Sequence, residues 1–320
     1  MVRRPVSPTG LLNAAGVLAG LATLAGFAGQ LWWLFELTAH FRVQYALALG
    51  GLALILLALQ QWPWAALLGA FALLNLAVIA QAFEPDDAAS PVIEPNAPTV
   101  RALLANIHVE NRDPEPLRRL IATTDPDLIL LLETTPWLLD QLRDLDKHYP
   151  QRLAKPRDDP FGMTLFSRLP LSGSQWVAFG DASGPPSLVT TLQVGGQAFT
   201  LIGTHPWPPV SAELAQGRNQ QLQALAAQVR HSPPPVLVLG DLNLSPWSPW
   251  FARLLSEAGL HDSRRGRGLQ PSWPTGWPPL WIPIDHALFS TGIQIRQRVI
   301  GPDIGSDHYP VIVDFQVSSP

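Results

Sequence analysis

VLVLGDLN, residues 236–243, is the stretch on which the reading of this chain turns. Four apolar residues, two of them β-branched, make a run of strand length, and Gly240 then gives way to Asp241 and Asn243. Spaced i, i+2 on an extended backbone, those two side chains point to one face. A carboxylate and an amide placed there can address the same phosphate or the same attacking water. A solvated Asp-x-Asn turn is the ordinary alternative, so the rest of the chain has to arbitrate.

Working outward, other apolar runs end or begin in the same way. Residues 100–107 (VRALLANI) and 127–133 (DLILLLE) are strand-length runs, separated by 116–123 at helical spacing. Asn106 closes the first and Glu133 the second. A carboxylate after five apolar residues is costly unless something cationic meets it; a helix-capping Glu before Thr134 and Thr135 is the bland alternative. Residues 188–194 and 198–203 form a hairpin through Gly195 and Gly196, and the second strand runs into GTHPWPP (203–209), which carries His205. A strand at 284–290 opens with Asp285 and His286, and one at 310–316 follows GSDH (305–308), with Asp307 and His308. Residues 163–167 read as a further strand, and 135–147 and 212–230 as helices. The pattern is α/β (α+β), a two-layer sheet core covered by helices, with polar groups gathered at one sheet edge. Asp285 beside His308 would fix that ring's tautomer and raise its basicity. His286, adjacent on the strand, points the other way and reads as structural. His108, Asn111 and Arg112, just past the first strand, lie within reach of the same edge.

Composition divides the chain. It is 47% hydrophobic and 14% charged, against roughly a quarter charged in an ordinary soluble domain. Residues 1–83 hold only Arg3, Arg4, Glu36 and Arg42, which leaves +2 there and −6 in the rest, where 18 basic residues face 24 acidic ones. Residues 11–35 run without charge and exceed both the ~20 residues of a bilayer span and the ~7 to 15 of a signal-peptide core. Residues 43–60 and 63–83 give two further spans, separated by a polar Gln-Trp-Pro turn. The first 83 residues therefore read as a membrane anchor of three transmembrane helices, the alternative being a buried helical hairpin. Nothing charged falls in mid-span, so the helices do not read as a channel or pump. With Arg3 and Arg4 on the cytoplasmic side, three crossings put the remainder outside an inner cell membrane, although Arg42 in the first outer loop counts against that. Residues 84–98, rich in Pro, read as an extended linker, and 99–320 as the catalytic domain. That domain and linker hold 30 of the 33 Pro, which implies short elements and irregular loops. Zero Cys excludes disulfides, zinc-thiolate sites and cysteine nucleophiles.

In this order the motifs resemble those of the endonuclease/exonuclease/phosphatase superfamily, the DNase I-like metal-dependent phosphoesterases. The matching positions are Asn106 in LLANI, Glu133 in LILLLET, His205 in GTHPWPP, Asp241 and Asn243 in GDLN, Asp285 in IPIDH, and Asp307 and His308 in SDHYP. The resemblance covers residues 99–317 and implies one four-layer DNase I-like sandwich, two mixed β-sheets flanked by helices. It implies that Glu133 holds a divalent cation, Mg2+ first and Mn2+ second, with Asn106 and Asp307 completing the metal or phosphate shell. Asp241 would orient or deprotonate water, Asn243 would fix a non-bridging oxygen, and His205 and His308 would bind phosphate, with Asp285 orienting His308. Trp207, Trp247 and Trp273, in loops after or before these strands, are expected to ring the cleft as substrate contacts. Such rings can stack on bases or lie in the membrane interface. The anchor and the −6 charge favour the interface, because a tight nucleic-acid binder carries a basic footprint. Arg264, Arg265 and Arg267 form a small basic loop that either meets phosphate or is simply solvated.

The layout is also similar to that of three-helix membrane phosphatases of the glycopeptide-resistance type. The expected activity is hydrolysis of phosphodiester or phosphoanhydride bonds, on a lipid-linked phosphate. A cell-surface nuclease with the same site is the first alternative and a non-catalytic membrane scaffold the second. No feature points to a protein partner.

Overall fold

The computed structural model describes residues 7–86 and 97–318. Eight α-helices are formed among them: α1 (Pro8–Phe27), α2 (Trp33–Ala39), α3 (Arg42–Ala58), α4 (Trp62–Ala80), α5 (Glu115–Thr124), α6 (Pro136–Gln141), α7 (Ala212–His231) and α8 (Pro249–Ala258). The twelve strands are β1 (Thr99–Asn106), β2 (Leu128–Leu132), β3 (Gln151–Lys155), β4 (Met163–Ser167), β5 (Leu171–Ala178), β6 (Pro186–Val194), β7 (Gln197–Thr204), β8 (Val236–Asp241), β9 (His261–Asp262), β10 (Asp285–Phe289), β11 (Ile293–Ile300) and β12 (Val311–Val317).

They build two six-stranded mixed sheets, ordered β11-β12-β1-β2-β4-β3 and β5-β6-β7-β8-β10-β9. Each sheet contains one parallel pair, β1 with β2 and β7 with β8. A parallel pair needs a crossover, and α5 and α7 supply it. Leucines of β1, β2, β7 and β8 alternate inward and bury one core between the sheets, joined by Phe199, Phe289 and Phe315. The opposite faces bury Leu117, Leu120 and Leu138 of α5 and α6 on one side, and Leu222, Phe251 and Leu254 of α7 and α8 on the other. Helix, sheet, sheet, helix is the four-layer arrangement expected.

This topology creates the site. β1, β2, β7 and β8 all have their carboxyl ends at the same edge, and there they finish in or beside Asn106, Glu133, His205 and Asp241. β10 is antiparallel to β8 and starts at that edge, with Asp285 directly opposite Asp241. β12 likewise starts just after His308. In the VLVLGDLN stretch Gly240 is a matter of space: a Cβ there would lie 2.0 Å from the carbonyl oxygen of Thr204.

The N-terminal part departs from the three uninterrupted spans expected. The run at 11–35 breaks after Phe27, and Gly29 permits the reversal, since a Cβ there would approach the Cα of Glu36 to 2.8 Å. The short α2 follows and meets α3 at a 68° bend. α1 and α4 are long and apolar enough to cross a bilayer, and the bent pair passes the same test of length and composition only when its two helices are taken together. Their outward faces are apolar, with Leu18, Leu47, Leu54 and Leu73 each about two-thirds exposed or more. Arg42 is not a loop charge. It is buried, donates to the carbonyl oxygen of Thr23 (2.7 Å) and to Asn75 Oδ1 (3.3 Å), and lies 4.2 Å over the Phe27 ring. Arg3 and Arg4, which carried the orientation argument, lie outside the described residues.

Nor do the helices hang on a free tether. Of the expected linker, 87–96 lies outside the described residues, but Asp86 pairs with His261 (2.9 Å), and Arg265 approaches Asp86 (3.7 Å) and Glu84 (3.9 Å). The basic loop is thereby spent on structure, with Arg264 facing Asp262 and Arg267 donating to backbone carbonyls. α2 docks on the loop after β8: Glu36 is fully buried, paired with Arg218 of α7 and accepting from Ser248 Oγ (2.7 Å). Arg218 also donates to the carbonyl oxygen of Asn243 (3.0 Å). Removing one partner of a buried ion pair costs about 3 to 5 kcal/mol, because the other charge is stranded. Glu36→Gln is therefore expected to lower the stability of the detergent-solubilised chain by that order in thermal unfolding, and the double variant Glu36→Leu, Arg218→Met to recover most of it. Equal losses in single and double variants would contradict the pairing.

Candidate active site

At the shared edge the polar side chains converge. Asn106 Nδ2 donates to Glu133 Oε1 (2.9 Å) and to Asp241 Oδ2 (3.3 Å). Glu133 Oε2 accepts from the backbone N–H of Val109 (2.8 Å). Asp241 Oδ2 also faces the Nε2 atoms of His205 (3.5 Å) and His308 (3.6 Å), while Asp241 Oδ1 accepts from Asn243 N (2.9 Å). His308 Nδ1 meets Asp285 Oδ2 at 2.8 Å. Ser272 Oγ accepts from the backbone N–H of Asp285, and Ser306 Oγ from that of His308, fixing both chains. Trp273 Nε1 donates to Asp307 Oδ2 (3.1 Å).

Burial makes these interactions strong. For His308 burial opposes the charged ring, but Asp285 and Asp241 outweigh it and raise the pKa to about 10. His205 is raised for the same reasons, chiefly by Asp241 against burial. Burial would push the Asp241 carboxyl up, yet His308 and His205 hold it well below the usual carboxylate range. A charged imidazole, and a second whose pKa is raised, beside an ionised carboxylate suit the binding of an anion.

The donor chemistry fits a hard divalent cation. Among the described residues Asp285 Oδ1 and Asp307 Oδ1 are buried without a hydrogen-bond partner, and Asn106, Glu133 and Asp241 offer further oxygens. The tightest set of ligand atoms, Asp241, Asp285 and His308, lies within 4.8 Å of one another. In it His308 Nδ1 is already bonded to Asp285 Oδ2, and His308 Nε2 faces Asp241 Oδ2. Glu133 is better disposed. It holds a left-handed backbone, φ +61°, which turns its carboxylate off the strand line and into the cleft.

That cleft has a volume of ≈ 790 Å³. Glu133, His205, Asp241, Asn243, Asp307 and His308 line it together with Trp273, and Asn106 lies beneath them. Trp207 and Trp247, expected as substrate contacts, do not. The Trp207 ring packs edge-on to Phe161 (4.6 Å) and against Gly217 of α7, and Trp247 lies under the Arg264 guanidinium (5.9 Å). Asn243 reaches the cleft differently from the extended geometry assumed: its φ is +53°, and its Nδ2 donates to the carbonyl oxygen of Pro206 (3.0 Å). The capping role considered for Glu133 falls to Thr135, whose hydroxyl accepts from Leu138 N. His286 turns away, onto the carbonyl oxygen of Leu244 and the Phe251 ring. Of the three residues past β1, only His108 lines the cleft; Asn111 and Arg112 are held on backbone carbonyls. Sequence reasoning missed Ser306, Ser272 and Phe161. Ser306 stood in the SDH motif and could have been taken from it; the other two lie in loops without pattern.

Most unexpected is the far wall. Trp33, Leu37, His40 and Phe41, from α2 and its junction with α3, line the same cleft. No described lining residue is Lys or Arg.

Comparison with known proteins agrees with this architecture. Residues 103–308 match the model of the Endonuclease/Exonuclease/phosphatase family. A UPF0294 protein of Vibrio cholerae is 28% identical over 170 residues, 44% of this chain and 57% of its own, so the match spans little more than half of that relative. Among solved structures, D. rerio TDP2 complexed with a single-strand DNA product has a TM-score of 0.58 at 17% identity, covering 68% of this chain and 99% of that one. The human Nocturnin catalytic domain with bound sulfate gives 0.56 at 19% identity, over 69% and 96%. An endonuclease/exonuclease/phosphatase of Bacteroides vulgatus gives 0.58 at 17%, over 69% and 100%. These likenesses are of fold, and the fold is DNase I-like. The chain belongs to the endonuclease/exonuclease/phosphatase family.

Proposed function

We propose that this chain is a membrane-anchored, Mg2+-dependent phosphoesterase whose substrate is a lipid-linked phosphate ester or anhydride, and that α1, α3 and α4 cross the bilayer with the catalytic domain outside the cytoplasm. The observation that carries the reading is a cleft shared by the acidic and imidazole groups at the sheet edge and by a segment of the apolar helical module.

Glu133, with Asn106 and Asp307, would hold the cation, which when bound neutralises charge on the phosphate. Asp241 Oδ2 accepts the hydrogen bond that aims a water at phosphorus. As the bond from phosphorus to the leaving oxygen breaks, that oxygen takes up the proton the water gives up. His205 and His308, whose pKa values the surrounding carboxylates raise, meet the negative oxygens of the phosphoryl group, and Asn243 fixes another. Asp285 keeps the His308 ring oriented. Manganese would serve the same oxygen ligands.

A nuclease using the same groups is the second reading, favoured by the fold likeness to TDP2, which was solved with a DNA product. Against it stand the −6 charge beyond residue 83 and a lining without Lys or Arg, since affinity for nucleic acid rests on neutralising phosphates. The full-length chain, purified in detergent and supplied with Mg2+, is expected to release phosphate from an isoprenyl pyrophosphate faster than it nicks plasmid DNA or cuts single-stranded RNA. Rapid nucleic-acid cleavage without phosphate release from the lipid would reverse the assignment. A reporter active only after export, fused after Pro320, is expected to be active; silence would place the domain inside.

A further inference from the structure

α2 is too short to cross a membrane and too polar on one side to be buried in one. Its residues divide by face. Glu36 and His40, one turn apart, point into the catalytic domain and are buried, whereas Trp33 and Leu37, also one turn apart, and Phe41 beyond the helix end stay half-buried on the cleft. The docking face is fully accounted for at Glu36. At His40 it is not. His40 Nδ1 accepts from the backbone N–H of Ser245 (3.2 Å) and lies 3.0 Å from the Ser245 hydroxyl. The ring proton therefore belongs on Nε2. Burial, with Arg218 nearby, lowers the pKa of this histidine to about 3, so the ring is neutral. Nε2 is nonetheless buried with no acceptor among the described residues, and the ring borders the cleft. An unpaired buried donor is costly, so a site that keeps one has a use for it.

The apolar wall has a matching continuation. Pro160, Phe161, Pro208, Pro209, Ile282 and Ile284 extend it around the cleft, and Val210 at the rim is 72% exposed. α2 lies between α1 and α3, whose ends reach the catalytic domain beside it through Gln30 on Pro249 and Gln44 on Trp281. The wall thus joins the apolar helical module to the acidic groups within one cleft.

We infer that α2 is a substrate subsite of the phosphoesterase: Trp33, Leu37 and Phe41 receive the hydrocarbon chain of a phosphate-bearing lipid, and His40 Nε2–H donates to an oxygen of its head group. The inference rests on the phosphoesterase reading and adds the residues that select the substrate. It also explains a wall without cations, which suits one phosphate on an apolar chain and not a polyanion.

The test uses the full-length chain in phosphatidylcholine nanodiscs with Mg2+ and two chromogenic diesters that differ only in the tail, methyl and hexyl p-nitrophenyl phosphate. Five added methylenes that reach the wall should raise kcat/KM at least about tenfold, since each fully buried methylene is worth ~0.8 kcal/mol. Leu37→Gln and Phe41→Ala should each reduce that hexyl-to-methyl ratio severalfold. His40→Ala should raise KM about tenfold for both esters with a smaller change in kcat; a loss confined to kcat would make His40 only a support of the Ser245 turn and remove it from the subsite. Hydrolysis of both esters at equal kcat/KM, or variants that leave the ratio at its wild-type value, would overturn the inference and spare the phosphoesterase. Hydrolysis of neither would overturn both. Should the variants fail to fold, hexylphosphonate must inhibit the wild type at lower concentration than methylphosphonate. Equal potency, or stronger inhibition by a 20-nucleotide DNA strand, would count against the lipid chain as occupant.

Discussion

Asp241→Asn is expected to lower kcat by about 10²- to 10⁴-fold, the range lost when a group that handles a reacting proton is removed, with a far smaller change in KM. Asp241 is 1% exposed, and one carboxylate oxygen faces Asn106, His205 and His308 together. No other residue of the site joins both imidazoles. The amide keeps the volume and the acceptor for Asn243 N, but removes the charge that raises the pKa of both rings. The variant therefore loses the group proposed to aim water and weakens the positive charge proposed to meet the phosphoryl oxygens. Steady-state kinetics on a p-nitrophenyl diester read the effect, and thermal unfolding checks that the variant is folded. A folded variant with kcat within tenfold of wild type would remove Asp241 from the chemistry.

Glu133→Gln is expected to cost about a hundredfold or more at millimolar Mg2+, and part of that loss should return as Mg2+ is raised. Removing an outer partner of a metal ligand already costs about 10- to 100-fold in affinity or activity, and Glu133 is proposed as the ligand itself. Glutamine can keep the contact to Val109 N–H, and it fits the same backbone with φ +61°. What it loses is charge. A Mg2+ titration of the initial rate separates the two cases: a curve displaced to higher metal concentration supports ligation, and an unchanged midpoint with lower plateau assigns Glu133 to substrate or water.

The strands that carry the site were legible in the sequence because they are central. β1, β2 and β8 are almost wholly buried, so each reads as an apolar run with its polar residue at the end. β3, β5 and β11 escaped notice, since edge strands are held mainly by backbone pairing and their exposed side chains carry no alternating pattern. α8 was missed although Ser248 and Pro249 mark its start, a capping serine and a first-turn proline hidden by the neighbouring tryptophans. The clustering of Asn106, Glu133, Asp241, Asp285 and His308 could be anticipated from strand ends alone. The contribution of α2 could not. Glu36 and His40 are isolated polar residues between apolar runs, and only the packing of α2 on α7 and the Asn243–Ser248 turn shows what they serve. Residues that pair across some 180 to 210 positions leave no mark in local periodicity. The tryptophans misled for a related reason: a ring beside a catalytic strand end can pack behind the site as readily as in it, as Trp207 and Trp247 do.

The central claim is that this chain hydrolyses phosphate esters with a divalent cation at the sheet edge. The most direct measurement is the initial rate of methyl p-nitrophenyl phosphate hydrolysis by the purified full-length chain in Mg2+, then in excess chelator, then with Mg2+ restored. Turnover is expected to fall to the uncatalysed rate on chelation and to return on re-addition. Turnover that persists unchanged in chelator, or no turnover at any metal concentration, would contradict it.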